Sequence, residues 1–413
     1  MHTATATRPV PPAAAWAEDM FSFGVTGTNG KTSTTHLLAA AVAAAGHSTL
    51  RVGTVGVELD GETLPRGKNF HDFLATMRHA ATRGCRHAVL EATSLALAQG
   101  YARAWRFDLG VFTNLSPDHL ATHKTWEHYL AAKAQLFVHL GPGRTAVLNA
   151  GDPYAAFIDQ AMPADVVRRY FAVPSRGPTH CPADLEAARV QVTPTGTRVE
   201  LLASPLADQL GGELRTRMVG EVFGENALAA ALAGLAAGLP GEAVARGIAA
   251  CPVVPGRFEI LCADTQGPVI AVDYAHSPDA LAHTCATARQ LAGASGRVIV
   301  VFGAGGNASA DKREPMGATV GAGAELAIVT SDNPRGEDPQ LIADMLLVGL
   351  RRGEARVVVE LDRARAIELA LHEAGPGDVV VVAGKGHETG QVVNGRTLPF
   401  SDVEQIRRLL DPG

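Results

Sequence analysis

Short apolar runs closed by a polar residue, each followed by a longer helix-forming stretch, recur along this chain. Phe21 to Val25 is the first, and an Ala-rich run from Thr35 to Ala45 follows it. Val89-Leu90-Glu91, Leu109 to Asn114 and Arg144 to Asn149 repeat the habit, each reading as a buried strand that ends in polar residues. The segments 190–202 and 213–219 alternate more and predict a peripheral antiparallel piece. A helix over 226–238 is closed by Gly-Leu-Pro. Val254-Pro255-Gly256 reads as a domain junction, after which the rhythm restarts: 269–273, 298–302, 326–330, 357–361 and 379–383 read as strands, with a helix over 339–351 among the intervening stretches. Repeated strand–helix units with nearly all-apolar strands predict an α/β protein with parallel sheets covered on both faces. The expected domains are 21–253 and 254–413, after a flexible Ala-, Thr- and Pro-rich tail over 1–20.

A chain of 413 residues fits two or three domains, and 46% apolar residues suffice for their cores. Lys plus Arg number 36 against 42 Asp plus Glu, with no basic run, so a nucleic-acid footprint is not expected. Five scattered cysteines, none in Cys-x-x-Cys spacing, argue against disulfides and structural zinc. No apolar stretch reaches the length of a membrane span, and the start lacks the features of a secretory signal. A cytoplasmic setting is expected. The sequence carries no signal for oligomeric state.

Residues 24 to 33 read Gly-Val-Thr-Gly-Thr-Asn-Gly-Lys-Thr-Ser, between the first strand and its helix. Glycines let backbone N–H groups curl around an anion, and the following helix aims its N-terminus at the same point. Lys31 is placed to reach terminal phosphates, and the Thr32 hydroxyl to ligate magnesium. Val25 stands where the strict pattern has its first glycine, so this is a variant loop, and it predicts nucleoside triphosphate binding.

In open parallel sheets, ligands bind beyond the carboxyl ends of the strands. Polar residues collect at those ends here: Glu91; Asn114, Asp118 and His119; Asp273 and His276; Asp332 to Arg335; Lys385 to Glu388. Magnesium–ATP chemistry needs oxygen ligands beside the loop, and Glu91 is the best carboxylate for it. His119 alone reads as a structural residue more readily than as a ligand. Lys133, on a mostly apolar helical stretch, reads physically as a lysine whose stem is buried and whose amine reaches water.

Several motifs, in one order across roughly residues 21 to 410, resemble the Mur ligase family, and most closely its muramoyl-tripeptide synthetase branch. They are Thr26-Gly-Thr-Asn-Gly-Lys-Thr32, Thr113-Asn-Leu-Ser-Pro-Asp-His-Leu120, Tyr129-Leu-Ala-Ala-Lys-Ala-Gln-Leu-Phe137 and Val254-Pro-Gly-Arg-Phe-Glu259. Val272-Asp-Tyr-Ala-His-Ser-Pro-Asp-Ala280, Ser331-Asp-Asn-Pro-Arg335 and Ala383-Gly-Lys-Gly-His-Glu388 continue the series. The resemblance implies a central P-loop ATPase domain followed by a C-terminal Rossmann-like domain, with the active site between them. It implies ATP-dependent amide formation through an acyl phosphate, joining a small-molecule or peptide carboxylate to an amino acid and releasing ADP and phosphate. By the same resemblance, Gly27, Thr28, Asn29, Gly30, Lys31, Thr32, Ser33, Asn226, Arg257 and Asp273 would meet ATP. Thr32 and Glu91 would hold one magnesium. Glu91 and His119 would help hold a second, with Lys133 carbamylated so that it presents a carboxylate-like group. Asp332-Asn333-Pro334-Arg335 has the form associated with meso-diaminopimelate, whose distal carboxylate Arg335 would grip; Arg313, Gly384 and Glu388 match the other amino-acid positions.

Departures accompany the match. The family's N-terminal domain, which grips uridine diphosphate, is expected to be absent. Asn69-Phe70 stands in place of paired threonines, and Thr93-Ser94-Leu95 in place of Ser-Ser-His. Pro117 and Ala121 replace Arg and Asp around His119, and Asn307-Ala308-Ser309 replaces an Asp-Arg-Asp run. The leading expectation is an amide ligase whose carboxylate is not the standard wall precursor. The alternatives are a wall-precursor ligase adding meso-diaminopimelate, alone or with a partner domain, and a non-catalytic nucleotide-binding relative. The set Lys31, Glu91, His119 and Lys133 argues against the last, because a scaffold needs no metal ligands.

Overall fold

The computed structural model describes residues 15–67, 69–116, 123–263 and 266–411. They form two compact units. One runs to Val190 and adds Arg198–Thr216 and Val222–Cys251; the other takes Gln191–Thr197, Arg217–Glu221 and the chain from Pro252.

The first sheet contains β1 (Phe21–Thr26), β2 (Thr49–Gly53), β3 (Gly56–Leu59), β4 (Glu62–Leu64), β5 (His87–Glu91), β6 (Leu109–Phe112), β7 (Thr145–Asn149), β8 (Val167–Ala172), β9 (Leu185–Thr193), β10 (Gly196–Leu201) and β11 (Glu213–Thr216). Their order is β11-β10-β9-β8-β7-β6-β1-β5-β2-β3-β4. β1 runs parallel to β5 on one side and β6 on the other. A strand so enclosed has no solvent face, which is why Phe23 and Val25 are both fully buried. Parallel pairing continues from β6 through β7 to β8, while β2, β3 and β4 form an antiparallel edge. The alternating segments around 190–219 supply the opposite edge, as part of the same sheet. The helix Lys31–Ala44 follows β1 and packs on the helix Gly241–Ala250.

Residues 1–14 of the expected flexible tail lie outside the described residues. From Ala15 the segment is packed: Ala15–Asp19 form a 3-10 turn, Trp16 lies 6.1 Å from Trp105, and Met20 joins the core. Two large apolar side chains outweigh the loop-like composition around them, so the tail assignment fails over 15–20.

The second sheet holds β12 (Glu259–Ala263), β13 (Val269–Asp273), β14 (Val298–Phe302), β15 (Leu326–Val329), β16 (Arg356–Val359) and β17 (Val379–Ala383), in the order β12-β13-β17-β14-β15-β16. Only the β12–β13 pairing is antiparallel. Every residue of β14, β15 and β17 is buried, as their unbroken apolar runs require. The periodicity did not reveal a small ribbon, β18 (Gly390–Val393) with β19 (Arg396–Pro399).

Candidate active site

The phosphate loop joins β1 to the helix Lys31–Ala44. Gly30 precedes that helix at φ 83°, and a Cβ there would come within 2.4 Å of Asn226 Oδ1. Gly27, at φ 153°, would carry a Cβ 1.9 Å from Thr113 Oγ1. Both positions need glycine for backbone angle and for closeness of approach. The loop is then tied to the segment after β6. Asn114 O accepts from Thr28 N at 2.9 Å, Asn114 Oδ1 accepts from Asn29 N at 2.9 Å, and Thr113 Oγ1 donates to Asn29 O at 2.6 Å. Ser116 N donates to Thr28 Oγ1 at 3.0 Å. A loop fixed by so many partners reaches its binding shape before any anion arrives.

Lys31 Nζ donates to Gly27 O at 2.9 Å and Thr28 O at 2.7 Å, so its ammonium lies against the loop itself. Thr32 and Ser33 are buried at the first turn of the helix. Asn226 is brought to Gly30 by the helix Glu221–Ala236. Glu91 ends β5 directly opposite Val25 of β1. Its carboxylate is held by Thr54, whose N–H donates to Oε1 at 2.9 Å and whose hydroxyl donates to Oε2 at 2.8 Å. Thr54 was not singled out by the sequence; its only signal is its place just beyond β2.

Lys133 corrects the sequence reading. Its amine does not reach water: the residue is 1% exposed, Nζ donates to Gly27 O at 2.6 Å, and the ammonium stands 4.4 Å from the centre of the Tyr129 ring. The helix Trp126–Val138 turns Tyr129 and Lys133, four residues apart, onto one face. The apolar neighbours that suggested surface snorkelling instead line the interior. Burial, followed by the Lys133 charge, holds His123 below its usual pKa. His119 and Asp118 lie outside the described residues. Thr32 and Glu91 offer oxygen donors only, which suits a hard cation such as magnesium.

Behind the loop stands a polar support that sequence reading missed. Asp152 accepts from Leu115 N at 2.7 Å and Tyr154 N at 2.8 Å, and burial, aided by Glu225, pushes its carboxyl up to about 6. Asn149 Nδ2 donates to Thr113 O at 2.7 Å and Glu225 Oε1 at 3.1 Å.

In the second unit, Asp273 accepts from Thr284 Oγ1 at 2.6 Å, and burial raises its pKa against that bond and the nearby Arg257 charge. Arg257 stacks 4.8 Å over the Tyr274 ring. A charge network gathers four strand-end residues. Lys385, fully buried, donates to Asn333 Oδ1 at 3.0 Å and Glu388 Oε2 at 3.1 Å, with Asp332 Oδ1 at 3.7 Å. Asn333 Nδ2 also donates to Glu388 Oε2, at 2.9 Å. Gly384 lies beside the Asp332 carboxylate. Arg335 and Arg313 meet the same turn: Arg335 donates to Gly306 O at 2.5 Å, and Arg313 donates to Gly305 O at 3.1 Å while pairing with Glu337 at 2.8 Å. Arg335 itself sits at φ 53°, bracketed by bonds to the β18–β19 ribbon. Below them Arg363, paired with Asp402, donates to Ala383 O at 2.9 Å and Ser331 O at 3.4 Å, fixing the ends of both motif-bearing segments.

A glycine-built phosphate loop at the carboxyl edge of a parallel sheet, with a carboxylate on the adjoining strand, defines the nucleotide-dependent class. Comparison with known proteins makes it specific. The Mur ligase middle domain matches residues 25–234, and the Mur ligase, glutamate ligase domain matches residues 256–386. The UDP-N-acetylmuramoyl-L-alanyl-D-glutamate--2,6-diaminopimelate ligase of Solibacter usitatus is 38% identical over 94% of this chain and 76% of its own length. The Streptomyces coelicolor enzyme of the same name is 38% identical over 95% and 76%. A solved ligase of that name superposes with a TM-score of 0.66 at 31% identity, over 95% of this chain and 78% of the other. Mycobacterium tuberculosis folylpolyglutamate synthase complexed with ADP has the same fold, with a TM-score of 0.70 at 20% identity over 89% and 88%. This chain belongs to the Mur ligase family and is an ATP-dependent ligase that forms amide bonds. Among the described residues, no helix is long and apolar enough to cross a membrane.

Proposed function

We propose that the protein joins a diamino dicarboxylic acid, with 2,6-diaminopimelate the first candidate, to a carboxylate other than the standard wall precursor. The observation that carries the reading is the prebuilt phosphate loop with Glu91 fixed one strand away, together with the Asp332–Arg335 segment beside Lys385 and Glu388. In the first step a substrate carboxylate oxygen attacks the γ-phosphorus, and the bond to the ADP oxygen breaks. In the second the acceptor's neutral amine attacks the acyl carbon. The carbon–oxygen bond to phosphate breaks, and the nitrogen loses its extra proton. Lys31 stabilises charge on the transferring phosphoryl group, while Gly27 to Ser33 and Asn226 orient the phosphates. Arg257 and Asp273 contact the rest of the nucleotide. Thr32 and Glu91, with His119 and a carbamylated Lys133, would hold magnesium, which would supply further charge neutralisation. Arg335 grips the acceptor's distal carboxylate, with Arg313, Asp332, Asn333, Gly384 and Glu388 completing its pocket. A cytoplasmic setting, where ATP is supplied, follows from that chemistry.

The departures at Asn69-Phe70 and Thr93-Ser94-Leu95 support a non-standard carboxylate. The second reading, a wall-precursor ligase, draws on the 38% identity to enzymes of that name. An ADP-release screen of amino acids crossed with candidate carboxylates separates them. Stoichiometric AMP and pyrophosphate would overturn the acyl-phosphate route. For Lys133, the alanine variant is expected to be inactive and partly restored by formate or acetate; a density map showing a bare, well-ordered amine in the ATP- and magnesium-loaded protein would remove the carbamate.

A further inference from the structure

A cavity of about 230 Å³ opens beside Glu91, within the first unit. Its lining is mixed. Thr54 joins opposite charges there: it holds the Glu91 carboxylate by N–H and hydroxyl, while its carbonyl accepts from Arg66 Nη1 at 3.0 Å. Phe73, Leu97, Tyr101 and Trp105 add a largely aromatic surface to the same cavity. Phe73 and Trp105 meet edge to face, with centroids 5.4 Å apart. The Trp105 indole N–H is already bonded to Ser22 Oγ at 3.0 Å, so this side chain offers the cavity carbon surface only. Because Glu91 pairs with Val25, this cavity-lining carboxylate lies one strand, about 4.8 Å, from the strand that leads into the phosphate loop.

From this mix of a cation and aromatic surface we infer that the carboxylate substrate is an aryl-substituted acid, its carboxylate on Arg66 and its ring on Phe73 and Trp105. The inference rests on the ligase reading above and names its substrate class. The size agrees: an apolar cavity of about 150 Å³ already admits benzene, which leaves room here for a ring and a linker of two or three carbons. A further ring also completes edge-to-face packing already begun by the wall.

The test uses the full chain with magnesium, ATP and diaminopimelate. Carboxylates of matched length are compared: 3-phenylpropanoate and 4-phenylbutanoate against glutarate and L-alanyl-D-glutamate. Tryptophan fluorescence or calorimetry reads binding, and ADP release reads turnover. Aryl acids are expected to bind at least ~10-fold more tightly than the polar acids, the benefit of burying one ring. Ala96→Phe, which narrows the cavity, is expected to abolish that preference while ADP affinity holds. Equal or better binding of the polar acids overturns the inference and leaves the ligase reading intact. Aryl binding without ADP release from any amino acid has the reverse meaning: the substrate cavity stands and the proposed reaction falls. Should Ala96→Phe fail to fold, the wild-type acid series alone decides.

Discussion

The phosphate loop is assembled mainly from backbone groups and uncharged side chains, whereas the cluster around Lys385 is assembled from charges. Around the loop, glycines at 27 and 30 let Thr113 and Asn226 close in, and most bonds run between amides, carbonyls and hydroxyls. Around Lys385, one buried cation faces Asp332, Asn333 and Glu388. The first arrangement rests mostly on neutral partners, with Lys31 and Lys133 adding bonds to Gly27 O, so folding is expected to tolerate the loss of Lys31. The second uses one lysine to pair both Asp332 and Glu388. The same residue type therefore carries different burdens in the two units.

Lys31→Ala probes the first burden. Turnover is expected to fall at least ~100-fold, because a lost contact to developing transition-state charge costs about 3 kcal/mol. The melting temperature is expected to hold, because glycines and Asn114 keep the loop. Single-turnover kinetics and thermal unfolding on the same samples measure both. A large loss of stability would erase the contrast between the two regions.

Lys385→Met is the counterpart. It strands Glu388 and Asp332, and the expected loss of stability is about 3 kcal/mol, at the low end for a broken buried pair because Glu388 is one-third exposed. Denaturant unfolding measures it, and acceptor KM is expected to rise in parallel. Unchanged stability would mean that water replaces the amine readily.

Arg335→Ala sharpens the comparison within the second unit. Arg335 is exposed and its side chain donates to one carbonyl, while its backbone bonds survive truncation, so stability is expected to change little. Acceptor use is expected to weaken at least ~10-fold, given about 1.5–3 kcal/mol for each charge-assisted bond. Arg335→Lys restores only part of it, lacking the planar fork. Wild-type acceptor kinetics in Arg335→Ala would remove the arginine from the acceptor pocket.

Asp152 gives the smallest effect and the only pH-dependent one. Its carboxyl, raised to about 6, binds its proton more readily folded than unfolded. Stability therefore falls as pH rises from about 4 to about 6, and the loss is complete above that window. The ceiling is ~3 kcal/mol, and an effect on the order of 1 kcal/mol is expected after relaxation. The melting-temperature difference between wild type and Asp152→Asn should move against wild type over that range. A flat difference would show that Asp152 does not titrate there.

Sequence alone determined the strand–helix rhythm, the phosphate loop and the gathering of polar residues at strand ends. These are local: an enclosed parallel strand must be apolar throughout, and an anion-binding turn must carry glycine within a few residues of its helix. Tertiary structure decided the rest. It buried the Lys133 amine against Gly27, because exposure depends on what packs over a helix and not on the helix itself. It brought Thr54 to Glu91 from 37 residues away and Arg363 beneath both Ser331 and Ala383. It also packed Trp16 onto Trp105 and set an aromatic wall beside a charged cavity mouth. Such contacts join positions far apart in the chain, and no periodicity or spacing within either segment encodes which distant residue will meet it.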